Sequence, residues 1–401
     1  MDIAFIVDEF PSISETFVLN QITGLLERGH DVDVYAHSLG AVDLYHPDVR
    51  RYGLLQRTHR LACPANRWTR ALKGSELCLK QMRRNPRAVL GSLNVFRYGR
   101  SASSLTLLFE TAPFFRRYDI VHCQFGHNGK FGAILKRLGL QKRLVVTFHG
   151  YDIRAAIESG GALYGELWDK ADCLIAISKY NHDHLVRFGG DPKKIVYHPV
   201  GIDCQRFGYQ RRSSDQRQPV RLLSIARLVD EKGLEFGIRA LHLLMKETPH
   251  AQIRYDIIGE GPLRGHLQQL IDDFGLMRQI RLLGAKTQGE VIQALRESDI
   301  LLAPSLAEAL PVSLMEAHAV GRAVLATHVG SVDQIVQHGK SGFLVPPGDV
   351  PDLSRRLADL IQDPEMRAEM GRCGRRHVEQ HYDIDRLNDR LVNLYENLLA
   401  A

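Results

Sequence analysis

Short apolar runs alternate with helical patterns along the whole chain. Each run spans four to seven residues and is rich in Val and Ile, and Gly or Pro bounds the helical patterns between the runs. Such near-continuous apolar strands, separated by helices, are typical of parallel sheets that helices cover on both faces. The pattern predicts eleven strands, which begin at Ile3, Asp31, Asp119, Leu144, Cys173, Ile195, Val220, Ile253, Ile280, Ile300 and Ala323.

A polar stretch divides these strands into two series and predicts two doubly wound α/β domains. Residues 209–218 (YQRRSSDQRQ) have no apolar pattern and are predicted to form a linker. We therefore expect a first domain at residues 1–208 and a second at residues 219–382. Residues 50–117 interrupt the first series with mixed helical periodicity, and we expect a helical insertion there.

Helices are predicted near both ends of the chain. Ser14 is a suitable N-cap for a helix from Glu15 to Glu27. The chain is predicted to be helical after Pro364, with Asp383 as the N-cap of a last helix at residues 383–401.

Composition adds limits on the class of protein. A chain of 401 residues, 44% apolar and 24% charged, is typical of a soluble globular protein with two or three domains. The six cysteines are scattered without a C-x-x-C pair, which argues against a structural zinc site and against a disulfide scaffold. No apolar run approaches the length of a membrane-spanning helix, and the first run is too short for a signal peptide. We expect a cytoplasmic protein.

Charge is distributed unevenly along the chain. Residues 50–117 contain fifteen lysines and arginines against two glutamates, a local charge of +13 in a chain whose net charge is +6. This segment predicts an anionic partner, and no nucleic-acid recognition motif accompanies it. Bulky apolar residues lie among the cations, which favours docking on an anionic membrane surface at the inner face of the membrane. These residues are Trp68, Leu72, Leu77, Leu79, Met82, Phe96, Tyr98, Phe114 and Phe115. Alternatively, they belong to the core and the cations form a solvated face.

Two glutamates flank a predicted helix start in the second series. The strand from Ile300 is followed by SLAEALPVSLMEAHAVG, in which Glu308 lies in the loop and Glu316 lies within the next helix. Pro311 suits the first helical turn. The free backbone amides of Ala309 and Leu310 at this helix start can bind phosphate, and the two carboxylates can accept hydrogen bonds from sugar hydroxyls.

Cations and glycines follow the first two strands of the second series. Arg227 and Lys232 flank a loop that leads into a helix, a position suited to binding a diphosphate. Both could equally be surface cations that pair with nearby acids. Gly259 and Gly261 form a G-x-G turn after the next strand, although glycine also serves any tight turn.

Histidines lie at strand ends in the first series. His149 follows the strand from Leu144, where it can donate a hydrogen bond to a phosphate or sugar oxygen. His122 lies within a strand and is predicted to be structural, and the role of His127 is left open. No G-x-G-x-x-G follows the first strand, which disfavours a dinucleotide-dependent dehydrogenase.

Taken together, these motifs resemble family 4 of the glycosyltransferases, the retaining nucleotide-sugar enzymes with the GT-B fold. The resemblance covers nearly the whole chain and is strongest in ARLVDEKG, IIGEGP, EALPVSLMEAHAVGRAVLATHVG and GFLVPPGD, which occur in the order that the family shows. HPVGIDCQRF matches the segment that closes the family's first domain. The opening FPSISETFVLNQ is similar to the subgroup that builds exopolysaccharides such as colanic acid.

The resemblance implies a fold and a set of roles. It implies two Rossmann-like domains facing a cleft, with the last helix crossing back to the first domain. Glu316 would hold the ribose and Glu308 the donor sugar, Arg227 and Lys232 would bind phosphate, and His149 would face the cleft. We expect a UDP-sugar donor and a lipid-linked saccharide acceptor.

The mechanism and the alternatives follow from the same resemblance. No D-x-D motif lies at a strand end facing the site, so we expect neither a cofactor nor an obligatory metal ion. A nucleotide-sugar 2-epimerase has the same architecture, and a catalytically silent sugar-nucleotide-binding subunit is a second alternative. The motif residues occurring together argue against a silent subunit.

Overall fold

The chain folds into two compact units. The computed structural model describes residues 1–12, 15–40, 46–211 and 219–401. The first unit comprises Met1–Pro199 and Asp385–Ala401, and the second comprises Val200–Ile384. Within the described ranges, no helix is both long enough and apolar enough to cross a membrane.

A seven-stranded parallel sheet forms the centre of the first unit. Its strands follow the order β3-β2-β1-β4-β5-β6-β7, and their bounds are β1 Asp2–Phe10, β2 Asp31–Leu39, β3 Thr58–Arg60, β4 Tyr118–Gln124, β5 Gln141–Phe148, β6 Cys173–Ala176 and β7 Ile195–Tyr197. Helices pack around it: α1 Thr16–Glu27, α2 Pro47–Arg51, α3 Arg67–Met82, α4 Pro86–Ser92, α5 Val95–Ser103, α6 Thr106–Thr111, α7 Gly126–Arg137, α8 Gly150–Glu158, α9 Gly165–Lys170 and α10 Lys179–Arg187.

A six-stranded parallel sheet forms the centre of the second unit. Its strands follow the order β10-β9-β8-β11-β12-β13, and their bounds are β8 Val220–Ile225, β9 Ile253–Ile258, β10 Ile280–Gly284, β11 Ile300–Ala303, β12 Ala323–Thr327 and β13 Gly342–Val345. Its helices are α11 Leu234–Glu247, α12 Arg264–Asp273, α13 Gln288–Glu297, α14 Val312–Ala319, α15 Val350–Gln362 and α16 Pro364–His381.

All eleven strands predicted from the apolar runs are confirmed, and the structure adds two. The central strands are buried on both faces, as the five consecutive buried residues of β1 show, which explains why their runs lack polar alternation. The added strands are β3, which lies at the edge of the first sheet, and β13, which lies at the edge of the second. Each has only three or four residues, too few for a periodic signal.

Helices make up most of the basic segment at residues 50–117, which also contains strand β3. Helices α3 to α6 follow one another in it. The strand departs from the predicted all-helical insertion because its backbone pairs with β2, a contact that extends the sheet and that no side-chain pattern reports. The predicted linker at residues 209–218 lies mostly outside the described residues, as does Ser14.

The last helix, α17 Ile384–Ala400, belongs to the first unit from Asp385 onward. The Tyr395 hydroxyl lies 2.6 Å from Nδ1 of the buried His122, whose Nε2 lies 2.6 Å from the Thr147 hydroxyl. Leu391 is also fully buried in this core. Because His122 is surrounded by protein and uses both ring nitrogens internally, the structure gives it a structural role.

Residues 200–208 belong to the second unit rather than to the first, where the sequence analysis put them. The Ile202 amide donates to the Tyr382 carbonyl, and the Ile384 amide donates to the Ile202 carbonyl. The Arg375 guanidinium donates to the Cys204 carbonyl at 3.0 Å. These contacts attach the segment to the end of α16, and its side-chain pattern does not indicate them.

Candidate functional site

Loops of the second unit meet at the carboxyl end of its sheet, the edge where parallel sheets bind ligands. The Leu228 amide, after β8, donates to the Glu260 carbonyl after β9 at 2.9 Å. The Leu306 amide, after β11, donates to the Glu231 carbonyl at 2.8 Å. These bonds bring the loops that contain Arg227, Lys232 and Glu308 into one cluster.

Lys232 and Glu308 contact each other in this cluster. Lys232 Nζ donates to Glu308 Oε1 at 2.6 Å, and the Ser305 hydroxyl donates to the same oxygen at 2.8 Å. Only 11% of the Glu308 side chain and 20% of the Lys232 side chain is exposed. No residue that the structure describes bonds to Glu308 Oε2, so this oxygen is available to accept a hydrogen bond from a ligand.

Gly330, in the loop after β12, sets the position of Glu308 and was missed by the sequence analysis. It has a left-handed φ of +54°, and a Cβ there would lie 1.7 Å from the Glu308 carbonyl oxygen. Only glycine allows this approach. The available signal was a glycine three residues beyond an apolar strand, at ATHVG, which by itself indicates only a turn.

Gly259 and Gly261 pack against the loop that contains Arg227. A Cβ on Gly259 would lie 1.8 Å from the Ala226 carbonyl oxygen, and one on Gly261 would lie 2.4 Å from the Leu228 carbonyl oxygen. Both glycines therefore let the two loops approach backbone to backbone. Arg227 lies between these contacts and is exposed, and its guanidinium pairs with no described residue.

The start of α14 presents unpaired backbone amides. The amides of Ala309 and Leu310 donate to no group within the described part of the chain, and the helix begins at Val312. Pro311 is the N-cap, with φ −77° and ψ 109°, and so precedes the helix instead of lying in its first turn. Free amides and the positive end of the helix dipole together favour an anion.

Glu316 lies on α14 with no neighbour that neutralises it. Its side chain is partly buried, and its carboxylate has no hydrogen-bond partner in the described ranges. Burial raises its pKa to about 7. A carboxylate that bonds to no described residue is suited to accept hydrogen bonds from ligand hydroxyls.

His149 belongs to the first unit, whereas the other predicted site residues belong to the second. It precedes α8, and its Nε2 lies 2.9 Å from Gln124 Oε1. Rings of Phe17 and Phe125 pack against it, with centroids 4.7 and 4.6 Å away. Burial lowers its pKa to about 3, so the ring is neutral at physiological pH.

A second polar cluster lies at the carboxyl end of the first sheet, and the sequence analysis did not assemble it. His127 Nε2 lies 2.5 Å from Asp8 Oδ1, and Asn128 Nδ2 donates to the same oxygen at 2.9 Å. Asp8 and His127 are 119 residues apart, so no local motif links them. Among the described residues, no group of three or more His, Cys, Asp or Glu is placed to hold a metal ion.

Two family models match the chain in succession. The model described as Glycosyltransferase Family 4 matches residues 14–206, and the model described as Glycosyl transferases group 1 matches residues 209–377. Their junction coincides with the start of the polar stretch at residues 209–218.

Full-length relatives show the same similarity. The chain is 32% identical to the amylovoran biosynthesis glycosyltransferase AmsK of Erwinia amylovora. It is also 32% identical to WcaL of Salmonella typhimurium, whose name assigns it to colanic acid biosynthesis as a glycosyltransferase. Each alignment covers 99% of this chain and 100% of the relative.

Among solved structures, HepE from Anabaena, in complex with UDP and glucose, superposes with a TM-score of 0.74. It is 18% identical to this chain, and the superposition covers 99% of this chain and all of HepE. At this identity the likeness shows that the two proteins share a fold.

Proposed function

The chain belongs to the GT-B glycosyltransferases of exopolysaccharide biosynthesis, and from this premise we propose that it transfers a hexose, with retention, from a nucleotide-diphosphate donor to a lipid-linked saccharide. The observation that carries the proposal is the Lys232–Glu308 contact beside the free amides at the start of α14. It combines a cation, an anion-binding helix start and a free carboxylate oxygen at the ligand-binding edge of one sheet.

The diphosphate of the donor is proposed to bind at Arg227, Lys232 and the amides of Ala309 and Leu310. Arg227, the remaining N–H groups of Lys232 and the two backbone N–H groups supply donors for the acceptor oxygens of a diphosphate. We propose UDP as the nucleotide because HepE, which shares the fold, was solved with UDP.

The sugars of the donor are proposed to bind at the two glutamates. Glu316 accepts a hydrogen bond from a ribose hydroxyl, and Glu308 Oε2 accepts one from the transferred hexose. A carboxylate acceptor strengthens each of these hydrogen bonds relative to a neutral one.

Transfer breaks the bond between the anomeric carbon and the diphosphate oxygen, and the electron pair stays on that oxygen. The acceptor hydroxyl oxygen bonds to the anomeric carbon on the same face, and its proton passes to the departing phosphate oxygen. Arg227, Lys232 and the two amides oppose the charge that develops there, so no metal ion is required in this proposal. His149 is neutral, and its one N–H donates to Gln124 Oε1, so we propose neither a charge nor a donated hydrogen bond from it and correct the donor role expected from the sequence.

Nucleotide binding with a chelator tests the donor site. UDP, GDP and ADP are titrated into the purified protein with EDTA present, and thermal shifts are measured. We expect UDP to stabilise the protein most, by about 2.7 kcal/mol at a hundred times its Kd. Loss of binding on chelation would refute the metal-free site, and a larger shift with GDP or ADP would refute the choice of UDP.

Product analysis separates transfer from the alternatives. Incubated with a UDP-hexose and a lipid-linked saccharide, a retaining transferase produces a glycoside with the donor's anomeric configuration, which NMR measures. A free 2-epimer formed without acceptor would indicate an epimerase. UDP binding without any turnover would indicate a silent subunit.

Membrane docking is proposed for the basic segment because α3 presents an apolar stripe to solvent. The side chains of Trp68, Leu72 and Leu79 are 81%, 71% and 79% exposed, and they lie on one face of the helix. The opposite face packs inward through the buried Gly74 and through Leu77. Phe96 at the start of α5 is completely exposed.

The predicted apolar set therefore divides into two groups. Trp68, Leu72, Leu79, Met82 and Phe96 face solvent. The other four pack inward: Leu77, Tyr98, Phe114 and Phe115. The outward group retains the membrane interpretation, and the inward group follows the alternative of core packing.

The cations beside the stripe determine the kind of surface that it fits. Lys73, Lys80, Arg83, Arg84 and Arg87 are all exposed, and none forms an ion pair with a residue that the structure describes. Each is worth about 1 kcal/mol on an anionic leaflet. An exposed apolar stripe edged by unpaired cations fits an anionic bilayer surface.

Vesicle co-sedimentation tests docking. Binding should rise with phosphatidylglycerol content and fall with salt. Replacing Arg83, Arg84 and Arg87 with Glu should weaken vesicle binding. Replacing Trp68 and Leu72 with Ser should weaken it as well. The matched control reverses three exposed cations of the second unit: Lys246, Arg278 and Lys340. Binding that ignores lipid charge and salt, or equal loss in the control, would refute docking through this segment.

A further inference from the structure

Three adjacent strands of the first unit bring polar side chains to the carboxyl end of its sheet. Asp8 lies near the end of β1, His37 lies near the end of β2, and His127 and Asn128 lie in the first turn of α7, directly after β4. Ligands bind at this edge of open parallel sheets. No residue of this group has a role in the donor site proposed above.

The buried Asn128 forms hydrogen bonds that fix the positions of Asp8 and His37. Asn128 is only 1% exposed and donates both to Asp8 Oδ1 and to the Gln124 carbonyl, each at 2.9 Å. Its own Oδ1 lies 3.0 Å from His37 Nε2. The buried amide thus anchors Asp8 to β4, while Asp8 Oδ1 also bonds to His127 Nε2.

The outer atoms of the Asp8–His127 pair are free. The two side chains are 46% and 40% exposed, and neither Asp8 Oδ2 nor His127 Nδ1 bonds to another residue in the described part of the chain. The contact with Asp8 raises the pKa of His127. Burial opposes ionisation of Asp8, but the bonds from His127 and Asn128 outweigh it and lower the Asp8 pKa. The free atoms of the pair are therefore a carboxylate acceptor and an imidazole nitrogen that donates when the ring is protonated.

Two residues near the Asp8–His127 pair distinguish it from an ordinary surface ion pair. The Phe125 ring stacks on the His127 ring, with centroids 5.8 Å apart and planes 13° apart. The φ of Phe125, +68°, is a strained value for an aromatic residue, and such strain concentrates at ligand sites. Glu15 is partly buried, and burial, with the nearby charges of Asp8 and Glu9, raises its pKa to about 7.

We infer that Asp8 and His127 bind two adjacent hydroxyl groups of the acceptor saccharide. Asp8 Oδ2 accepts a hydrogen bond from one hydroxyl, and His127 Nδ1 bonds to the next hydroxyl, as the donor when the imidazole is protonated and as the acceptor when it is neutral. The inference rests on the proposed transferase function, because it specifies how the acceptor is recognised. An exposed ion pair contributes little to stability, whereas two free polar atoms on adjacent side chains match a pair of neighbouring hydroxyls, each of which can both donate and accept.

Saccharide binding tests this pair. Octyl glycosides of glucose, galactose and mannose, with their monodeoxy analogues, are titrated against the wild type and against Asp8→Asn and His127→Gln. For the hexoside that binds best, each variant should weaken binding about tenfold, the effect of losing one charge-assisted hydrogen bond. The matched control is Asp119→Asn, at the opposite end of β4, where Asp119 pairs with Lys142 at 2.5 Å. It should leave binding unchanged.

The deoxy analogues distinguish recognition from a general loss of structure. One analogue should bind the wild type about tenfold more weakly than its parent and bind Asp8→Asn no more weakly than its parent does. Unchanged affinity in both variants, or no binding of any hexoside by the wild type, overturns the inference. UDP affinity is measured on the same samples. If the wild type binds UDP but fails the saccharide test, only this inference is refuted. If the wild type does not bind UDP, the proposed function is refuted.

Discussion

At the scale of single residues, the Lys232–Glu308 ion pair has a structural role in addition to the role in transfer that we propose for it. Both side chains are largely removed from water, and each is the ionic partner of the other. A buried charge that loses its partner destabilises the fold, so substitutions here act on stability and on turnover together. A second variant is therefore needed to separate the effect on stability from the effect on turnover.

We predict that Lys232→Ala lowers kcat by about 10²- to 10³-fold, the usual effect of removing one charge-stabilising donor. It should also lower Tm, because Glu308 loses its ion pair. The double variant Lys232→Ala/Glu308→Gln should recover Tm without recovering kcat. Steady-state kinetics and thermal melts measure the two quantities. Recovery of kcat in the double variant would show that Lys232 acts only through structure.

Glu316 gives a pH-dependent prediction. Its pKa is about 7 in the folded protein against an ordinary 4.5. Below about pH 4.5 the Glu316 carboxyl is protonated in both the folded and the unfolded state and does not affect the free energy of unfolding. As the pH rises through about 7, ionisation of Glu316 lowers the free energy of unfolding, and the loss then reaches its full value. Glu316→Gln should raise Tm relative to the wild type at pH 8, by the equivalent of about 1 to 3 kcal/mol, and should not raise it at pH 5. Glu247→Gln, on the exposed face of α11, is the control. A constant difference across pH would contradict the prediction.

Substitution of Glu316 should change a different kinetic constant from the one that substitution of Glu308 changes. A ribose contact persists from the bound donor to the transition state, so Glu316→Ala should mainly raise the donor KM. Glu308→Ala should mainly lower kcat, because the contact that we propose for it near the reacting carbon strengthens in the transition state. Initial rates at varied donor concentration test this division. A pure KM effect for Glu308→Ala would contradict it.

At the scale of elements, the site depends on how closely the loops between strands and helices approach. Gly330 and Gly339 both have left-handed φ values, +54° and +75°, but only Gly330 has a described neighbouring atom in the position of a Cβ. Gly339→Ala should cost about 1 to 2 kcal/mol for the backbone conformation alone. Gly330→Ala should cost more and should also lower turnover, because the Glu308 backbone must move. Equal kcat in the two variants would show that Glu308 tolerates this displacement.

At the scale of the whole molecule, the chain leaves the first unit, forms the second and returns through α17. The returning helix completes the first core with Leu391 and Tyr395. Leu391→Ala should therefore destabilise the first unit by about 2 to 5 kcal/mol. Hydrogen exchange should accelerate in β1 and β4 and stay unchanged in β8. Asn397→Ala, on the exposed side of α17, is the control. Faster exchange in β8 would show that the two units unfold together.

Much of the fold was determined by local sequence. A strand buried on both faces requires a continuous apolar run, so the central strands of both sheets could be predicted from composition along the chain. Edge strands β3 and β13 could not, because their backbone pairing leaves no side-chain period. The motifs of the second unit were also predictable, since its loops join consecutive elements and keep Arg227, Lys232 and Glu308 near strand ends.

Tertiary structure decided what depends on distances between remote residues. The Lys232–Glu308 contact joins residues 76 positions apart, and the Asp8–His127 pair joins residues 119 positions apart. Neither contact follows from a period or a motif, because parallel strands bring their ends together only after the sheet has formed. The helical period alone predicts which residues of α3 share a face. Whether Trp68 and Leu72 point to the core or to solvent depends on which face Gly74 buries, and only the packed molecule determines that.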